Sequence, residues 1–159
     1  MYKTQLIILS LGLLFACNKP NEKQEELYVE LKKNHAYYQE AQNRIDTSLK
    51  QTEEDLLSVR DSLQSELGPF SIEYQMFNED LKKFLTILEE KAISHKDVLY
   101  EQAVLEDEIL NQRMEYNEAL EKKELIEKRR EEVEKNFELS LSLQDTLLTK
   151  ANKLINKNS

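Results

Sequence analysis

Apolar residues recur in steps of three, four or seven through residues 22–67, and this spacing places them on one face of a helix. The stripe consists of Leu31, Tyr38, Ile45, Leu49, Leu56, Val59 and Leu63. Three polar residues interrupt it: His35, Gln42 and Thr52. The pattern therefore predicts one long helix that buries a single face and carries a few polar side chains within that face.

Gly68 and Pro69 end the first helix, because glycine readily takes the left-handed conformation after a last helical turn and proline cannot continue the hydrogen-bond ladder. A second helix is predicted over 71–115. Its apolar face consists of Phe77, Leu81, Phe84, Leu85, Leu88, Ala92 and Ile93. Met76 and Ile87 widen this face beyond what one neighbouring helix would cover. The second helix is therefore expected to pack against two partners.

The turn after the first helix is expected to fold the second helix back along it. Residues whose numbers sum to about 138 then lie opposite each other on the two helices. The resulting apolar pairs are Leu56 with Leu81, Leu49 with Leu88, Ile45 with Ile93 and Tyr38 with Tyr100. This match predicts an antiparallel helical hairpin.

No glycine or proline follows residue 70, so the sequence leaves open a single helix that continues to the end of the chain. Such a helix would carry charged residues far past the level at which the first helix begins. A turn at 111–117 avoids this, with Asn117 as the cap of a third helix over 118–156. Positions summing to about 232 would then be neighbours. The residues that would complete the face of the second helix are Phe137, Leu141, Leu148, Ala151 and Ile155.

These patterns predict an all-α fold, a long antiparallel hairpin completed to a three-helix, coiled-coil-like bundle. Residues 120–136 are mostly charged, and Glu118, Glu124 and Glu131 each precede a lysine by four positions, which is typical of a solvated helical face. The apolar core is therefore expected at the end of the bundle near Gly68, with a thinner seam at the opposite end.

Composition and charge narrow the partners of the chain. The formal net charge of −9 argues against a nucleic-acid partner, because phosphates are held by a surplus of Lys and Arg. The same charge repels an anionic membrane surface, so membrane attachment would need something other than a basic face. Cys17 is the only cysteine, which excludes an internal disulfide.

The first residues indicate export. Lys3 is the lone charge before an apolar run from Leu6 to Phe15, and this run is about half as long as a helix that crosses a bilayer. A basic start, a short apolar centre and a small residue before the break are typical of a signal that is removed from the mature protein.

The last residues of this leader, Leu14, Phe15, Ala16 and Cys17, resemble the lipobox of bacterial lipoproteins. The resemblance covers only the leader, and no family is recognised for the helical region. It implies a diacylglyceryl group on Cys17, cleavage after Ala16 and acylation of the new amino terminus, for example by palmitate. Two or three acyl chains hold a protein on a bilayer almost permanently.

The resemblance also implies a division of the chain and a location. Residues 1–16 would be the signal peptide, 17–21 the acylated cysteine with a short tether, and 22–159 the helical bundle. Asn18 stands where an aspartate is associated with retention at the inner membrane, so by resemblance the protein is expected at the outer membrane, facing the periplasm. Exposure at the cell surface is left open.

The helical region offers little catalytic chemistry. His35 and His95 lie about eight positions out of register and neither follows a glutamate by three, so we interpret both as polar positions in the seam. An acidic cluster is interpreted as solvated charge rather than a cation site: Glu101, Glu106, Asp107 and Glu108. Four tyrosines at one end are interpreted as core filler, with a ligand cleft as the alternative: Tyr28, Tyr38, Tyr100 and Tyr116. No catalytic residue, metal site or cofactor site is predicted.

The leading functional hypothesis is a lipid-anchored envelope protein that is not an enzyme and that binds or spaces another envelope component. An alternative is a parallel, oligomeric coiled-coil rod in which polar seam residues select the register: Gln42, Thr52 and Gln144. Another is a chaperone-like or ligand-binding bundle with a cavity between its helices. The expected partners are the membrane, through Cys17, an envelope protein and a second copy of the chain.

Overall fold

A computed structural model describes residues 22–158, and the leader, Cys17 and the tether lie outside this part of the chain. The described part is an all-α bundle without strands. Its helices are α1 (Glu22–Leu67), α2 (Ile72–Leu110), α3 (Tyr116–Leu141) and α4 (Gln144–Asn158). None of these four helices is both long and apolar enough to cross a membrane.

The first turn lies where the sequence predicts it. Gly68 has a φ of +79°, in the left-handed region, and its backbone N–H donates to the carbonyl oxygen of Gln64 at 3.0 Å. Ser71 then caps α2, since its side-chain oxygen accepts a hydrogen bond from the backbone N–H of Tyr74 at 3.2 Å. The chain therefore reverses within four residues, from 68 to 71.

The second reversal confirms the predicted turn and excludes a continuous helix. Gln112 takes a positive φ of 53°, and the N–H of Arg113 donates to the carbonyl oxygen of Glu108 at 2.8 Å. The predicted cap at Asn117 is wrong, because α3 begins at Tyr116, two residues earlier than predicted, behind Glu115, whose side chain makes no capping bond. A non-glycine residue supplies the left-handed conformation here, which is why composition gave no signal for this turn.

The single third helix predicted over 118–156 is also wrong. It is interrupted at residues 142 and 143, so that α3 and α4 are separate helices. Serine hydroxyls compete for backbone carbonyls at this point: Ser140 Oγ donates to Asn136 O at 2.8 Å and Ser142 Oγ donates to Leu139 O at 2.6 Å. At the break the backbone N–H of Leu143 donates to Ser140 O at 3.1 Å, while Leu139 O, its partner in a regular α-helix, accepts from Ser142 Oγ.

α1 and α3 each pack mainly on α2, whereas α4 packs mainly on α1 and also contacts α2. Cross-helix contacts that fix the register are His95 with Gln42, Tyr74 with Gln64, Arg129 with Glu101, and Lys150 with Asp80. The residue numbers of the first two pairs sum to 137 and 138, which confirms the predicted register. Those of the other two pairs sum to 230, a shift of two from the predicted register.

The bundle contains two apolar cores rather than one. The turn-end core, near Gly68, includes Leu56, Leu63, Phe77, Leu81, Leu88, Phe137 and Ala151. The tether-end core, near the start of α1, includes Leu27, Leu31, Tyr38, Val98, Leu105, Ile109 and Ile126. The prediction of a thin seam at the tether end is therefore wrong, because α2 continues its buried stripe to Ile109 and α3 inserts Ala119 and Ile126 among its charged residues.

Four apolar residues of α2 predicted in the core lie on its outer side instead: Met76, Ile87, Ile93 and Tyr100. Ile93 is 58% exposed and Tyr100 is 71% exposed, so their predicted pairing with Ile45 and Tyr38 is wrong. The buried stripe passes through Ala92, and one further residue turns the side chain by about 100° around the helix. The wide face of α2 therefore remains partly uncovered.

Replacement of Gly68 tests the first turn. A Cβ at this position would meet no atom within 4 Å, so the cost of Gly68→Ala is conformational rather than steric. We expect the free energy of unfolding to fall by about 1–2 kcal/mol, the cost of a left-handed conformation for an L-residue. Urea unfolding measures the loss. Gly68→Asn should lose less, because asparagine tolerates this conformation, and equal losses would contradict the explanation.

Candidate functional site

A buried polar layer lies at the middle of the bundle, between the two cores. His95 of α2 is 0% exposed, and its Nδ1–H donates to Gln42 Oε1 of α1 at 2.7 Å. Gln42 is held in this orientation because its amide nitrogen donates to Asp46 Oδ1 at 2.9 Å. On the other side, Glu134 Oε1 of α3 lies 3.3 Å from His95 Nε2. One imidazole thus joins three helices.

The protonation state of His95 follows from these contacts. Both ring nitrogens face an oxygen that only accepts hydrogen bonds, and a neutral ring satisfies one of them, at the shorter distance to Gln42. Burial lowers the pKa of His95 below its ordinary value of 6.5; the Glu134 carboxylate opposes this effect, and the Arg130 guanidinium adds to it. His95 is therefore held as the neutral form in the folded protein at neutral pH.

Arg130 extends the layer towards the tether end. Its Nη1 donates to Glu134 Oε2 at 2.9 Å, and its guanidinium lies 5.3 Å from the ring centre of Tyr37 and 5.0 Å from that of Tyr38. Burial opposes the charge, but Glu134 and the tyrosines raise the pKa of Arg130 above its ordinary value. For the Tyr38 hydroxyl, burial raises the pKa above its ordinary value, and the positive charge of Arg130 opposes this effect. The guanidinium thus stays charged while packed on two aromatic rings.

A cleft of about 240 Å³ opens from this layer to the surface between α1 and α3. These two helices pack mainly on α2 and touch each other little, which leaves the gap. The cleft is lined by Ala41, Arg44, Ile45, Ser48, Glu134, Phe137, Glu138 and Leu141. His95 is fully buried behind Glu134, so a molecule in the cleft would meet the carboxylate but not the imidazole. The lining offers one guanidinium, two carboxylates and an apolar floor.

The other histidine belongs to a separate layer in the tether-end half. His35 Nδ1 donates to Glu106 Oε1 at 2.7 Å, and its Nε2 accepts from Gln39 at 2.9 Å. Gln102, fully buried nearby, donates to the backbone carbonyl of Leu31 at 3.0 Å. The interpretation of both histidines as polar positions in the seam is confirmed, and each is bonded across helices.

The residues of the acidic cluster each have a different partner. Glu101 pairs with Arg129, Glu106 with His35, Asp107 with Arg113, and Glu108 with Lys122. Over residues 22–158, no group of three or more Asp, Glu, His or Cys is arranged to hold a metal ion. Three of the four carboxylates thus form separate ion pairs, and Glu106 accepts a hydrogen bond from His35.

The four tyrosines near the tether end do not gather around one cleft. Tyr38 is buried in the tether-end core, Tyr28 and Tyr116 pack against that core, and Tyr100 points outward. Lys32 lies over the Tyr28 ring at 5.3 Å and Lys23 over the Tyr116 ring at 5.8 Å. Tyr28, Tyr38 and Tyr116 therefore fill the core, as predicted, whereas Tyr100 does not.

Glu134 and Arg130 were missed by sequence reasoning because they lie in the run interpreted as a solvated face. That run is solvated along most of its length, but these two side chains point inward. The predicted register between the second and third helices sets His95 level with residue 137, and the observed shift of two moves that level close to Glu134. The signal in the sequence was a charged residue, Glu134, within three positions of the level predicted for His95 on the third helix.

Lowering the pH tests the state of His95. Its folded pKa lies below the value of 6.5 in the unfolded chain, so the unfolded chain binds more protons as the pH falls below 6.5. We expect the free energy of unfolding to be highest above this pH and to fall below it, at up to about 1.4 kcal/mol per pH unit for one proton.

Urea unfolding at a series of pH values, in a His35→Gln background that leaves His95 as the only histidine, measures this slope. His95→Gln in the same background removes the titrating ring and should flatten the slope between about pH 6.5 and pH 5, above the range in which most carboxylates titrate. Identical slopes in both proteins would contradict the assignment of a buried, neutral His95.

Comparison with protein-family models, with curated proteins and with solved structures finds no match to this chain. The function of the chain is therefore inferred from its own features. These are the lipobox-like leader, the two ends of the rod, the polar layer and the surfaces that the helices leave open.

Proposed function

We propose that this protein is a lipid-anchored component of the bacterial cell envelope that acts as a non-enzymatic binding or spacer module. The residues Leu14, Phe15, Ala16 and Cys17, at the end of a short apolar leader, support the anchor. By resemblance to bacterial lipoproteins, the proposed location is the outer membrane facing the periplasm, with acyl chains carried by Cys17. Attachment through acyl chains agrees with a surface that is acidic overall, because it does not require attraction to anionic lipids.

The observation that carries the proposal is the position of the two ends of the bundle. α1 begins five residues after Cys17 and runs for 46 residues, or about 69 Å, to the Gly68 turn. α2 then returns, and Gln24 Nε2 donates to the carbonyl oxygen of Met114 at 3.1 Å, so the second turn lies beside the start of α1. An anchor at Cys17 would therefore hold one end of the rod at the membrane and project the other end, with Phe70, away from it.

The polar groups of the bundle interior support a role without catalysis. His95 donates a hydrogen bond to Gln42 across α1 and α2 and lies against Glu134 of α3, and His95 has no exposed surface with which to touch a substrate. Buried polar groups that satisfy each other fix which faces of the helices meet. The layer is thus suited to keeping a long rod in one register.

The polar residues assigned to an oligomeric coiled coil are occupied within the chain. Gln42 bonds to His95 and Asp46, and Thr52 Oγ1 donates to Gln144 Oε1 at 3.2 Å between α1 and α4. A coiled coil that joined these seams from different copies would have to open the bundle first. A projecting bundle is therefore favoured over a rod of single long helices from several copies.

The height of the rod is measured by energy transfer to a lipid dye. Acylated protein is labelled at a cysteine introduced at one of two exposed positions, Phe70→Cys at the far turn or Asn117→Cys at the near end, and placed in vesicles. We expect efficient transfer from residue 117 and little from residue 70, since about 69 Å of helix separates the two ends. Equal transfer from both would mean that the rod lies flat and would exclude the spacer role.

Replacement of the cysteine tests the anchor itself. In the producing bacterium, Cys17→Ser should move the protein from the membrane to the soluble or unprocessed fraction and abolish incorporation of labelled palmitate. Asn18→Ser, the same type of replacement one residue later, serves as the control and should leave both unchanged. Retention of Cys17→Ser protein at the membrane as a processed chain would overturn the lipoprotein assignment.

A further inference from the structure

The side of the bundle formed by α2 with α3 and α4 carries an uncovered apolar groove. The groove has a volume of about 400 Å³ and lies between α2 and α3. Val104 of α2 and Leu125 of α3 line it and are 38% and 67% exposed, while Leu105 and Ile126 beneath them belong to the tether-end core. The tether-end core thus reaches the surface at this groove.

The ion pairs that cross this side all have the same direction. Three ion pairs cross it, and in each the acid is on α2 and the base is on α3 or α4: Glu101 with Arg129, Glu108 with Lys122, and Asp80 with Lys150. All six side chains remain about one third to one half exposed, so each has surface left for a second partner. Glu118 adds an acid on α3, 3.7 Å from Lys122. By helical spacing, Lys83, three residues after Asp80, adds a base on α2, and Glu132, three residues after Arg129, adds an acid on α3. The three cross-helix pairs themselves form an acidic column on α2 beside a basic column on α3 and α4.

We propose that this side, the α2–α3 face, docks a second copy of the same chain in parallel orientation, related by a two-fold axis that runs along the rods. Such an axis exchanges left and right at each level, so the acidic column of one copy lies over the basic column of the other. A two-fold axis across the rods would instead set acids over acids and bases over bases. The charge pattern therefore selects both the occupant and its direction.

The apolar residues of the face obey the same symmetry. Residues of α2 and α3 whose numbers sum to about 230 lie at one level. Val104 of one copy therefore faces Leu125 of the other, and exposed Ile87 faces exposed Leu143. Each contact occurs twice in the pair, as a two-fold interface requires.

The face is large enough for a specific pair. From Asp80 to Glu108 it extends about 42 Å along α2, and two adjacent helices are about 20 Å wide, which gives roughly 800 Å² per copy. This is the area that each partner contributes to a stable interface of standard size. Chains with a net charge of −9 repel each other, so a face with balanced local charge is where a second copy meets the least repulsion.

Sedimentation equilibrium in density-matched detergent tests the pairing. The full chain carries Cys17→Ser, so that acyl chains do not hold copies together in one micelle. We expect a dimer, which Val104→Glu with Leu125→Glu converts to a monomer without loss of helical circular dichroism. The matched control places the same charges on exposed residues elsewhere, Val29→Glu with Ile72→Glu, and should remain dimeric. A monomeric parent chain, or a dimer that survives Val104→Glu with Leu125→Glu, would overturn the proposal.

Charge reversal tests the direction. Glu101→Lys with Glu108→Lys turns the acidic column basic and should weaken a parallel dimer about tenfold or more. Adding Lys122→Glu and Arg129→Glu in the same chain exchanges the columns and should restore the affinity. In an antiparallel dimer each column faces its own copy, so like charges face each other both before and after the first reversal. The first reversal would then leave the affinity of an antiparallel dimer unchanged. An unchanged affinity, or loss without restoration, would therefore overturn the parallel arrangement.

The proposal of pairing does not depend on the anchor. Failure of the pairing experiments would leave the proposed spacer function untouched.

Discussion

The packing of one helix against two partners is the constraint on which the bundle depends. α1 and α3 each pack mainly on α2, α4 packs on α1 and also contacts α2, and both apolar cores contain residues of α2. The turns before and after α2 must therefore set the register of α1 on α2 and the register of α3 on α2 so that apolar residues meet along the whole helix. Gly68 takes the left-handed conformation in the first turn, which glycine adopts readily. Gln112 takes the same conformation in the second turn, although it is disfavoured for a residue with a side chain. Once both registers are set, they determine which side chains of α1, α2 and α3 are buried.

The polar layer limits how far those registers can slip. His95 is fully buried and bonds to Gln42 of α1, so a shift of α1 along α2 by one turn would leave an imidazole and an amide without a partner. An unsatisfied buried polar group costs about 1–3 kcal/mol, which is a large share of the stability of a domain of this size. Apolar contacts between leucines tolerate such slips better, because one leucine replaces another. Placing the layer between two apolar cores lets a single imidazole align both halves of the rod.

Sequence patterns predicted those features that local chemistry determines, and failed where the outcome depended on the exact angle at which helices meet. The Gly68 turn and the hairpin register follow from backbone stereochemistry and from the spacing of leucines, and both are confirmed. The turn at Gln112 has no residue signature beyond nearby polar side chains, so only its neighbourhood was predicted. Ile93 was placed in the core because it is apolar and adjacent to a buried position, but one residue around a helix decides between core and solvent. Glu134 was hidden among charged neighbours, and its inward direction depends on a two-residue shift in register.

The proposed anchor and the proposed pairing have a physical link. Chains attached at the tether end to one membrane all point the same way, so the only encounters available to them are parallel ones. Attachment also confines them to a thin layer, which raises their effective concentration and lets an interface with few apolar contacts form. The acid and base columns of the α2–α3 face favour this same parallel direction. In an antiparallel pair each column would face its own copy, so a surface adapted to that arrangement would need acids and bases alternating along each helix. The arrangement of charges on the rod is therefore that expected of a chain whose copies stand side by side on a common support.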